Sequence, residues 1–445
     1  ILDINQTDGV IGCMGGQAPN SLALKLSDAK IHMFGHSAES IEKAENRSKF
    51  SKILDELEID QPRWCSATSR FEIDQFIKSV GFPVLVRPSY VLSGAAMKVA
   101  YDFDSLNRFL DAATEVSSSC PVVISEFMID AKEIEMDGVS QNGKIIKSFL
   151  SEHIENAGIH SGDATLIYPT QSLSSTQKTS LNAIGESISK ALNLNGPFNI
   201  QFLLRNNKPM VIECNARASR SFPFISKVSG INLAKLATQV ILAPESIDLN
   251  KSSPKRNEIG VKSALFSFSR LKGADPISGV EMVSTGEVAC VAECVEEALL
   301  LSLQSSFFKK PRKGILVSSG RDIEKEKFLN LMPFLEKLGI NVYATSGTAA
   351  HLSAKGHKVH LAIWAHESGL NNVIDLIQTG KVDLVINVPK NYESSEINAG
   401  LEIRNAAIHN GCMLLTNMEK TVAFIEALEK MEKSFNQPKA LLPFD

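Results

Sequence analysis

The stretch Val211–Phe222, "VIECNARASRSF", places a hydrophobic run directly against a carboxylate, an amide and two arginines. One interpretation is a strand that runs out into a solvated turn with surface salt bridges. The other is a metal–nucleotide site. Side chains alternate between the faces of a strand, so Glu213 and Asn215 project to the same side. This spacing is what a strand-borne set of oxygen ligands would need.

The preceding strand supplies a third candidate ligand. "FNIQFLL" and "PMVIECN" flank an Asn-Asn turn, and pairing them as a hairpin can place Gln201 beside Glu213. Amide and carboxylate oxygens suit Mg²⁺, which is usually shared with phosphates. Arg217 and Arg220 follow within a few residues, and guanidiniums bind phosphoryl oxygens and neutralise charge during phosphoryl transfer. The hairpin therefore predicts a metal–phosphate site.

Two further stretches support this hypothesis. "SEHIENAGIHSGDA", residues 151–164, gathers polar side chains around a Gly-rich loop: Glu152, His153, Glu155, His160 and Asp163. "VLVRPSYVLSGAAM", residues 84–97, puts Arg87 at a strand end and follows it with Ser93 and Gly94. Small residues let backbone N–H groups approach phosphates. No P-loop Lys-Ser/Thr pair accompanies this loop.

Bulk properties exclude several classes of protein. A length of 445 residues suggests roughly three domains. Hydrophobic and charged contents of 44% and 22% are typical of a soluble globular protein, and a net charge of −4 argues against nucleic-acid binding. No apolar run reaches the length of a membrane span. Seven scattered cysteines, with Cys290 and Cys294 interpreted as free thiols, favour a reducing compartment.

Strand and helix patterns alternate along most of the chain, which indicates an α/β and α+β fold class. Residues 40–57 read as one amphipathic helix, "MGGQAPN" as a Gly-rich turn, and "QNG" as a hairpin turn. From residue 313, strict alternation of strand and helix predicts a separate unit with a doubly wound parallel sheet. Its strand ends carry "ATSGT", "IWAH" and "INVPKN", where such sheets bind ligands.

Longer motifs carry a resemblance to a known family. "RPSYVLSGAAM", "SEHIENAGIHSGDATL", "GPFNIQF", "VIECNARASRSFPFISKVSG" and "STGEVA" resemble the ATP-grasp fold, and specifically the carboxy-terminal synthetase half of the carbamoyl phosphate synthetase large subunit. The segment after 313 resembles its methylglyoxal-synthase-like allosteric domain. The implied division is the end of a pre-ATP-grasp domain at 1–40, the ATP-grasp domain at 41–250, a connecting tail at 251–312 and the allosteric domain at 313–445.

The resemblance implies phosphorylation of carbamate by ATP, giving carbamoyl phosphate and ADP. Its implied metal ligands are Gln201, Glu213 and Asn215, for Mg²⁺ or Mn²⁺, and K⁺ is a further candidate cation. The implied residues near ATP are Arg47, Arg87, Ser93, Gly94, His160 and, at the ribose, Glu133. Arg217 and Arg220 would face the phosphorylated substrate. Carbamate already carries its negative charge, so we assign no general base.

Departures from the family pattern set further expectations. The chain shows one synthetase half, so we expect it to be a fragment that needs an amino-terminal synthetase half and an ammonia source, either a glutaminase or free ammonia. Alone, it should perform the partial reaction, and we expect an oligomer. Bacterial members bind ornithine; Glu155 and Asp163 match two of its ligands, but Ser263 replaces a third, acidic one.

The implied effector is a small anion. Lys325, Thr345 and Thr348 match anion-holding positions, Asn387 is a further candidate effector residue, and Trp364 stands where a bacterial member has lysine. The resemblance implies a uridine nucleotide or N-acetylglutamate as the effector. We expect the compartment to be the cytoplasm or, alternatively, the mitochondrial matrix. Two other interpretations stay open: a nucleotide-binding regulatory or scaffold piece without turnover, and another ATP-grasp ligase.

Overall fold

The computed structural model describes residues 2–88, 97–116, 122–247, 257–271, 273–389 and 394–431. The predicted phosphate loop with Ser93 and Gly94 lies outside the described residues.

The first segment is a small α/β unit in which two short strands pair in parallel. Its elements are α1 (Leu2–Asn5), β1 (Val10–Ile11), α2 (Gln17–Asn20), α3 (Ala23–Asp28), β2 (Met33–Phe34), α4 (Ala38–Glu45) and α5 (Arg47–Glu56). The prediction of one helix over 40–57 is wrong. Asn46 leaves the helical conformation (φ −75°, ψ 105°) and its side chain accepts a hydrogen bond from the N–H of Lys49, so it ends α4 and caps α5. The predicted turn "MGGQAPN" also contains the short helix α2.

A four-stranded antiparallel sheet follows, with strand order β3-β6-β4-β5. Its elements are β3 (Trp64–Ala67), α6 (Arg70–Val80), β4 (Val84–Pro88), β5 (Lys98–Ala100), α7 (Phe103–Val116) and β6 (Val122–Glu126). The amphipathic helix α6 begins at a capping box between Ser69 and Glu72. Ile73 and Ile77 of α6 pack with Val84 and Ile124 of the sheet, so the layer has its own apolar core.

The second sheet has the order β11-β10-β7-β8-β9-β12-β13. Its segment comprises β7 (Lys132–Gln141), β8 (Lys144–Asn156), β9 (Leu166–Tyr168), α8 (Ser175–Ala191), β10 (Gly196–Arg205), β11 (Lys208–Asn215), α9 (Ser221–Ser229), α10 (Leu233–Leu242), β12 (Ile259–Leu265), β13 (Gly286–Ala292) and α11 (Val295–Ser305). Both predicted hairpins are present. Asn206 and Asn207 have φ of 51° and 65°, the conformation that a two-residue turn with right-handed strand twist requires.

The last segment is the predicted doubly wound parallel sheet, with strand order β16-β15-β14-β17-β18. Its elements are β14 (Gly314–Ser319), α12 (Asp322–Leu329), α13 (Met332–Lys337), β15 (Asn341–Thr345), α14 (Ser346–Ala354), β16 (His360–Ala362), α15 (Val373–Gln378), β17 (Leu384–Val388), α16 (Ser394–His409), β18 (Met413–Leu415) and α17 (Met418–Lys430). Successive strands are added to one side of β14 up to β16 and to its other side from β17 onwards. At such a switch point, doubly wound sheets have a ligand-binding crevice at the carboxyl ends of the strands.

This sheet is joined to the rest of the chain by polar and apolar contacts. One apolar cluster runs from Ile154 and Val261 through α11 to Ile315 and Phe424. Arg404 of α16, 1% exposed, donates from Nε and Nη2 to the two carboxylate oxygens of Asp275 at 2.6 Å each. The predicted separate unit therefore has its own sheet but shares a core with its neighbour, and the predicted domain boundaries stay predictions. No helix in the described ranges is long and apolar enough to cross a membrane.

Candidate ATP and metal site

The centre of the candidate site is the hairpin of β10 and β11. Gln201 lies directly opposite Glu213 in the register of this hairpin. The turn sets Arg205 opposite Lys208, which in a regular hairpin would bring Ile212 opposite Gln201. A bulge between Phe202 and Gln201 shifts the register by one residue and brings Glu213 there instead. Residues directly opposite in an antiparallel pair share a face, so one amide and one carboxylate point into the same space.

Neighbouring bonds decide which oxygens are available. The Nε2 of Gln201 donates to the Oγ of Ser161 at 3.1 Å, which leaves the Gln201 oxygen free. The Nδ2 of Asn215 donates to the Oε1 of Glu213 at 3.0 Å, while the Asn215 oxygen accepts from Arg217 at 3.2 Å. Gln201 and Glu213 therefore fit a cation as they stand, whereas Asn215 supports Glu213 and would have to exchange its bond to Arg217.

The candidate donor set contains a single carboxylate. In the described part of the chain, no cluster of three or more His, Cys, Asp and Glu side chains is arranged to hold a metal. A hard cation such as Mg²⁺ binds through few protein ligands and takes the rest from phosphates and water. One carboxylate and one amide are chemically sufficient for that kind of site.

Two guanidiniums face this hairpin from other segments. Arg47 begins α5 and Arg87 lies in β4, and both line the same cavity. Within the part of the chain that the structure describes, the Nε of Arg87 is buried without a hydrogen-bond partner. Burial, and then the nearby charge of Arg87, lower the pKa of Arg47 well below its ordinary value. Two recessed guanidiniums this close together suit the binding of a polyanion such as a phosphate chain.

Glu213 is the counter-charge to these arginines. Burial pushes its pKa upward, but Arg87, the bond from Asn215 and Arg47 outweigh burial and hold the pKa of Glu213 below its ordinary value. The carboxylate is therefore charged at neutral pH, which is the state that a metal ligand needs.

His160 contributes a neutral donor. Its Nδ1 accepts from the N–H of Gly162 at 3.0 Å, so the neutral ring carries its proton on Nε2. Burial lowers the pKa of His160, against the opposing charge of Glu213. A neutral imidazole N–H can donate to a phosphate oxygen without taking part in acid–base catalysis.

Glu133 lies deeper in the same cavity and is 4% exposed. Burial raises the pKa of Glu133 to about 7, although His153, with its Nδ1 3.9 Å away, opposes this shift. A recessed carboxyl group at the cavity wall can bind ligand hydroxyls, and the family resemblance implies such a role for Glu133 at a ribose.

Two cavities meet at the hairpin. One, of ≈ 240 Å³, lies between the two antiparallel sheets; the other, of ≈ 700 Å³, extends from the hairpin towards α9 and α10. Both are lined by the same central residues: Gln17, His160, Ser161, Gln201, Glu213, Asn215 and Arg217. Arg220 lines only the larger one, where it donates to the Oγ of Ser284 at 2.8 Å. The candidate metal ligands thus lie between two cavities, each of which can hold a ligand.

Two participants, Gln17 and Ser161, were not predicted from the sequence. Gln17 accepts from the Nε of Arg217 at 3.0 Å and donates to Glu45 at 2.8 Å, which ties the first segment to the hairpin. Ser161 binds Gln201, as described above. Gln17 lies in the motif "GGQAPN" and Ser161 in "IHSGDA". The spacing of residues within these motifs does not show which side chains contact the hairpin.

The candidate effector residues lie at the carboxyl edge of the parallel sheet. Thr345 ends β15 and its hydroxyl donates to Ser318 at 3.1 Å, and Thr348 in α14 bonds the backbone of Ser319. Lys325 lies close to Gly347 at the start of α14. Two other candidates are held differently: Asn387 accepts from Arg404 at 2.6 Å, and Trp364 packs against the apolar layer beside Tyr343.

The residues that match ornithine ligands are already satisfied within the chain. Glu155 accepts two bonds from Thr165 and lies 3.7 Å from the Nζ of Lys420. Asp163 accepts from two backbone N–H groups at 3.0 Å each. Ser263 bonds Ser302 at 2.8 Å.

Comparison with known proteins bears on this geometry. The family model "Carbamoyl-phosphate synthase L chain, ATP binding domain" matches residues 46–246, and the model "MGS-like domain" matches residues 327–416. The chain is 46% identical over 433 residues to multifunctional protein pyr1-3 of Dictyostelium discoideum, covering 96% of this chain and 19% of that protein. It is 42% identical over 438 residues to a mitochondrial carbamoyl-phosphate synthase [ammonia] of Aquarana catesbeiana, covering 96% of this chain and 29% of that protein.

The chain thus spans under a third of the length of these relatives. Among solved structures, it resembles the biotin carboxylase domain of 2-oxoglutarate carboxylase from Hydrogenobacter thermophilus, with a TM-score of 0.56, 14% identity, and coverage of 68% of this chain and 75% of that one. At this identity the likeness shows the ATP-grasp fold alone. The chain belongs to the carbamoyl-phosphate synthase large-chain family, with its ATP-binding domain followed by an MGS-like domain.

Proposed function

We propose that this chain binds ATP and a divalent cation between its two antiparallel sheets and phosphorylates carbamate to carbamoyl phosphate. The observation that carries the proposal is the pair Gln201–Glu213 at the junction of two cavities, faced by Arg87 with an unpaired buried N–H. Family membership supports the choice of reaction.

The two cavities suggest separate binding sites for ATP and for carbamate. The smaller cavity would hold the phosphates of ATP, with Arg47, Arg87 and His160 donating to their oxygens. A cation bound by Gln201 and Glu213 would neutralise charge on the transferred phosphoryl group. Carbamate would approach from the larger cavity, where Arg217 and Arg220 can orient its oxygens.

The arrangement favours a nucleophile that is already anionic. Carbamate attacks through a carboxylate oxygen, so no proton has to leave it before the P–O bond forms and the bond to ADP breaks. The work left to the protein is positioning and charge neutralisation. Cationic and neutral donors dominate the site, which matches that requirement. The assignment of no general base stays a prediction.

The test is the reverse partial reaction, formation of ATP from carbamoyl phosphate and Mg-ADP. We expect activity in the wild type and a loss of at least about 10³-fold in Glu213→Gln, equivalent to about 4 kcal/mol of lost charge stabilisation. Asp60→Asn is the matched control, because this exposed carboxylate pairs with Lys208 at 2.8 Å at the other end of the same hairpin.

An inert wild type that still binds nucleotide would favour the scaffold interpretation. ATP formation that does not depend on carbamoyl phosphate would favour another ATP-grasp ligase. Equal activity in Glu213→Gln and the wild type would refute the site itself.

The same proposal includes the cations, the partners and the compartment of the protein. Mn²⁺ should replace Mg²⁺, and K⁺ is a further candidate cation. Full synthesis would need an amino-terminal synthetase half and ammonia, from a glutaminase or free, and assembly as an oligomer. The compartment would be the cytoplasm, with the mitochondrial matrix as the alternative.

We further propose that the carboxyl edge of the parallel sheet binds a small anionic effector at Lys325, Thr345 and Thr348. Thermal-shift titrations with uridine triphosphate and with N-acetylglutamate should show stabilisation by one of them. Trp364→Ala should abolish that shift if the tryptophan contacts the effector, and leave it intact if Trp364 is only a core aromatic.

A further inference from the structure

Lys262 is a buried cation that the proposed chemistry does not use. It lies in β12, its residue is 1% exposed, and its Nζ donates to the backbone carbonyls of Ser161 at 3.1 Å and Gly162 at 3.3 Å. Two consecutive carbonyls thus converge on one ammonium group. Such convergence fixes the orientation of the peptide between them.

Burying the charge of Lys262 at this position is energetically unfavourable. Burial lowers the pKa of Lys262, and the carboxylates of Glu135, Glu287 and Glu155 oppose that effect. An ammonium group bonded to neutral carbonyls recovers less of its lost hydration than one paired with a carboxylate. A methionine of similar length would fill the space without that cost. Fold stability is therefore a poor explanation for the lysine.

The braced turn, residues 160–162, carries two groups of the candidate site. The hydroxyl of Ser161 accepts from the Nε2 of Gln201, and the N–H of Gly162 donates to the Nδ1 of His160. The first bond turns the amide oxygen of Gln201 away from Ser161. The second bond selects the ring tautomer that keeps a proton on Nε2. Both depend on how the backbone of this turn is oriented.

We propose that Lys262 is a positioning residue: by holding the two carbonyls of the turn, it sets Ser161 so that the amide oxygen of Gln201 faces the cation bound with Glu213. The inference rests on the proposed metal site. Outer partners that orient a ligand typically change metal affinity by about 10- to 100-fold when removed. Lys262 acts at two removes, through Ser161 and Gln201.

The test separates positioning from folding. Lys262→Met should lower thermal stability only modestly, since it removes a buried charge but also withdraws a cation from Glu135 and the donor from two carbonyls. The same variant should weaken Mn²⁺ binding in the presence of ADP, measured by electron paramagnetic resonance, by about tenfold or more. Ser263→Ala is the matched control, because Ser263 is buried, adjacent on the same strand and bonded to Ser302 instead.

Hydrogen exchange gives a second readout that needs no ligand. The amides of Gly162, Asp163 and Ala164 are bonded to His160 within the turn. We expect Lys262→Met, but not Ser263→Ala, to accelerate exchange at these three amides, since local opening becomes easier. Unchanged exchange together with wild-type Mn²⁺ affinity would overturn the inference.

A third variant covers the case in which Lys262→Met fails to fold. Ser161→Ala keeps the backbone carbonyl for Lys262 but removes the acceptor for Gln201, so Mn²⁺ binding should weaken while exchange in the turn stays unchanged. Wild-type Mn²⁺ affinity in Ser161→Ala would refute the relay. If Mn-ADP binding depends on Gln201 and Lys262 but no ATP forms from carbamoyl phosphate, the proposed function fails and the positioning role stands.

Discussion

The buried ion pair of Arg404 and Asp275 offers a quantitative test of how the parallel sheet is attached to the rest of the chain. Asp275→Ala would leave the guanidinium, 1% exposed, with Asn387 as its remaining side-chain partner. Removing one partner of a buried pair costs about 3–5 kcal/mol, because a desolvated charge stays behind. Asp275 keeps 26% of its side-chain exposure, which lets water reach the site. We therefore expect the lower end, about 3 kcal/mol.

Thermal unfolding followed by calorimetry measures this loss. For a cooperative unit of about 150–250 residues, 3 kcal/mol corresponds to a fall in Tm of roughly 6–12 °C. The double variant Asp275→Leu, Arg404→Met should recover most of the loss, because it removes the stranded charge. Asp74→Ala, which breaks an exposed pair with Arg70, is the control and should change stability by less than about 0.5 kcal/mol. A fall of under about 1 kcal/mol in Asp275→Ala would refute the reasoning.

Three further predictions concern other parts of the chain. His36 donates from Nε2 to the carbonyl of Pro197, its Nδ1 accepts from a backbone N–H, and burial lowers its pKa to about 4. Because the unfolded chain takes up the proton at a higher pH than the folded chain, about 3 kcal/mol of the free energy of unfolding should be lost as the pH falls from 6.5 to 4. In denaturant titrations, the stability of His36→Asn should depend on pH less than that of the wild type, by the same amount. Arg87→Met should weaken Mg-ADP binding about 10- to 100-fold in calorimetric titrations, because charge-assisted bonds to phosphate are lost. The Tm without nucleotide should not fall. An affinity equal to that of the wild type would contradict a role of Arg87 in binding phosphate. Gly138→Ala places a Cβ 2.6 Å from the ring of Phe198 and 2.7 Å from the carbonyl oxygen of Lys147. It should destabilise the protein by about 1–3 kcal/mol, and an unchanged Tm would contradict this prediction.

Local sequence signals identified the strands and the turn at the centre of the site, but not the whole register. The Asn-Asn turn sets Arg205 opposite Lys208, and a regular hairpin would then pair Gln201 with Ile212. The bulge between Phe202 and Gln201, which brings Glu213 opposite Gln201, has no signal in the turn. The parallel sheet after residue 313 follows from strict alternation, since parallel strands need helical crossovers. Each inference uses only neighbours along the chain.

Other features depended on segments that meet only after folding. Arg47 and Arg87 are 40 positions apart in number, and their approach to Glu213 requires α5 and β4 to close on the hairpin from different sides. The sequence predicted Asn215 as a ligand, but its oxygen is engaged by Arg217. A single helix over 40–57 was also expected, because helical periodicity alone does not reveal that Asn46 interrupts it.

The sequence by itself therefore determined the two hairpins, the parallel sheet after residue 313 and the strand that carries the carboxylate. Only the tertiary structure decided that a bulge brings Gln201 opposite Glu213, which cavities the polar groups line and that Lys262 bonds the carbonyls of Ser161 and Gly162. The physical reason is the range of the interactions. Turn geometry and side-chain alternation are set within a few residues, whereas burial, charge and hydrogen-bond partners depend on distant segments packing together.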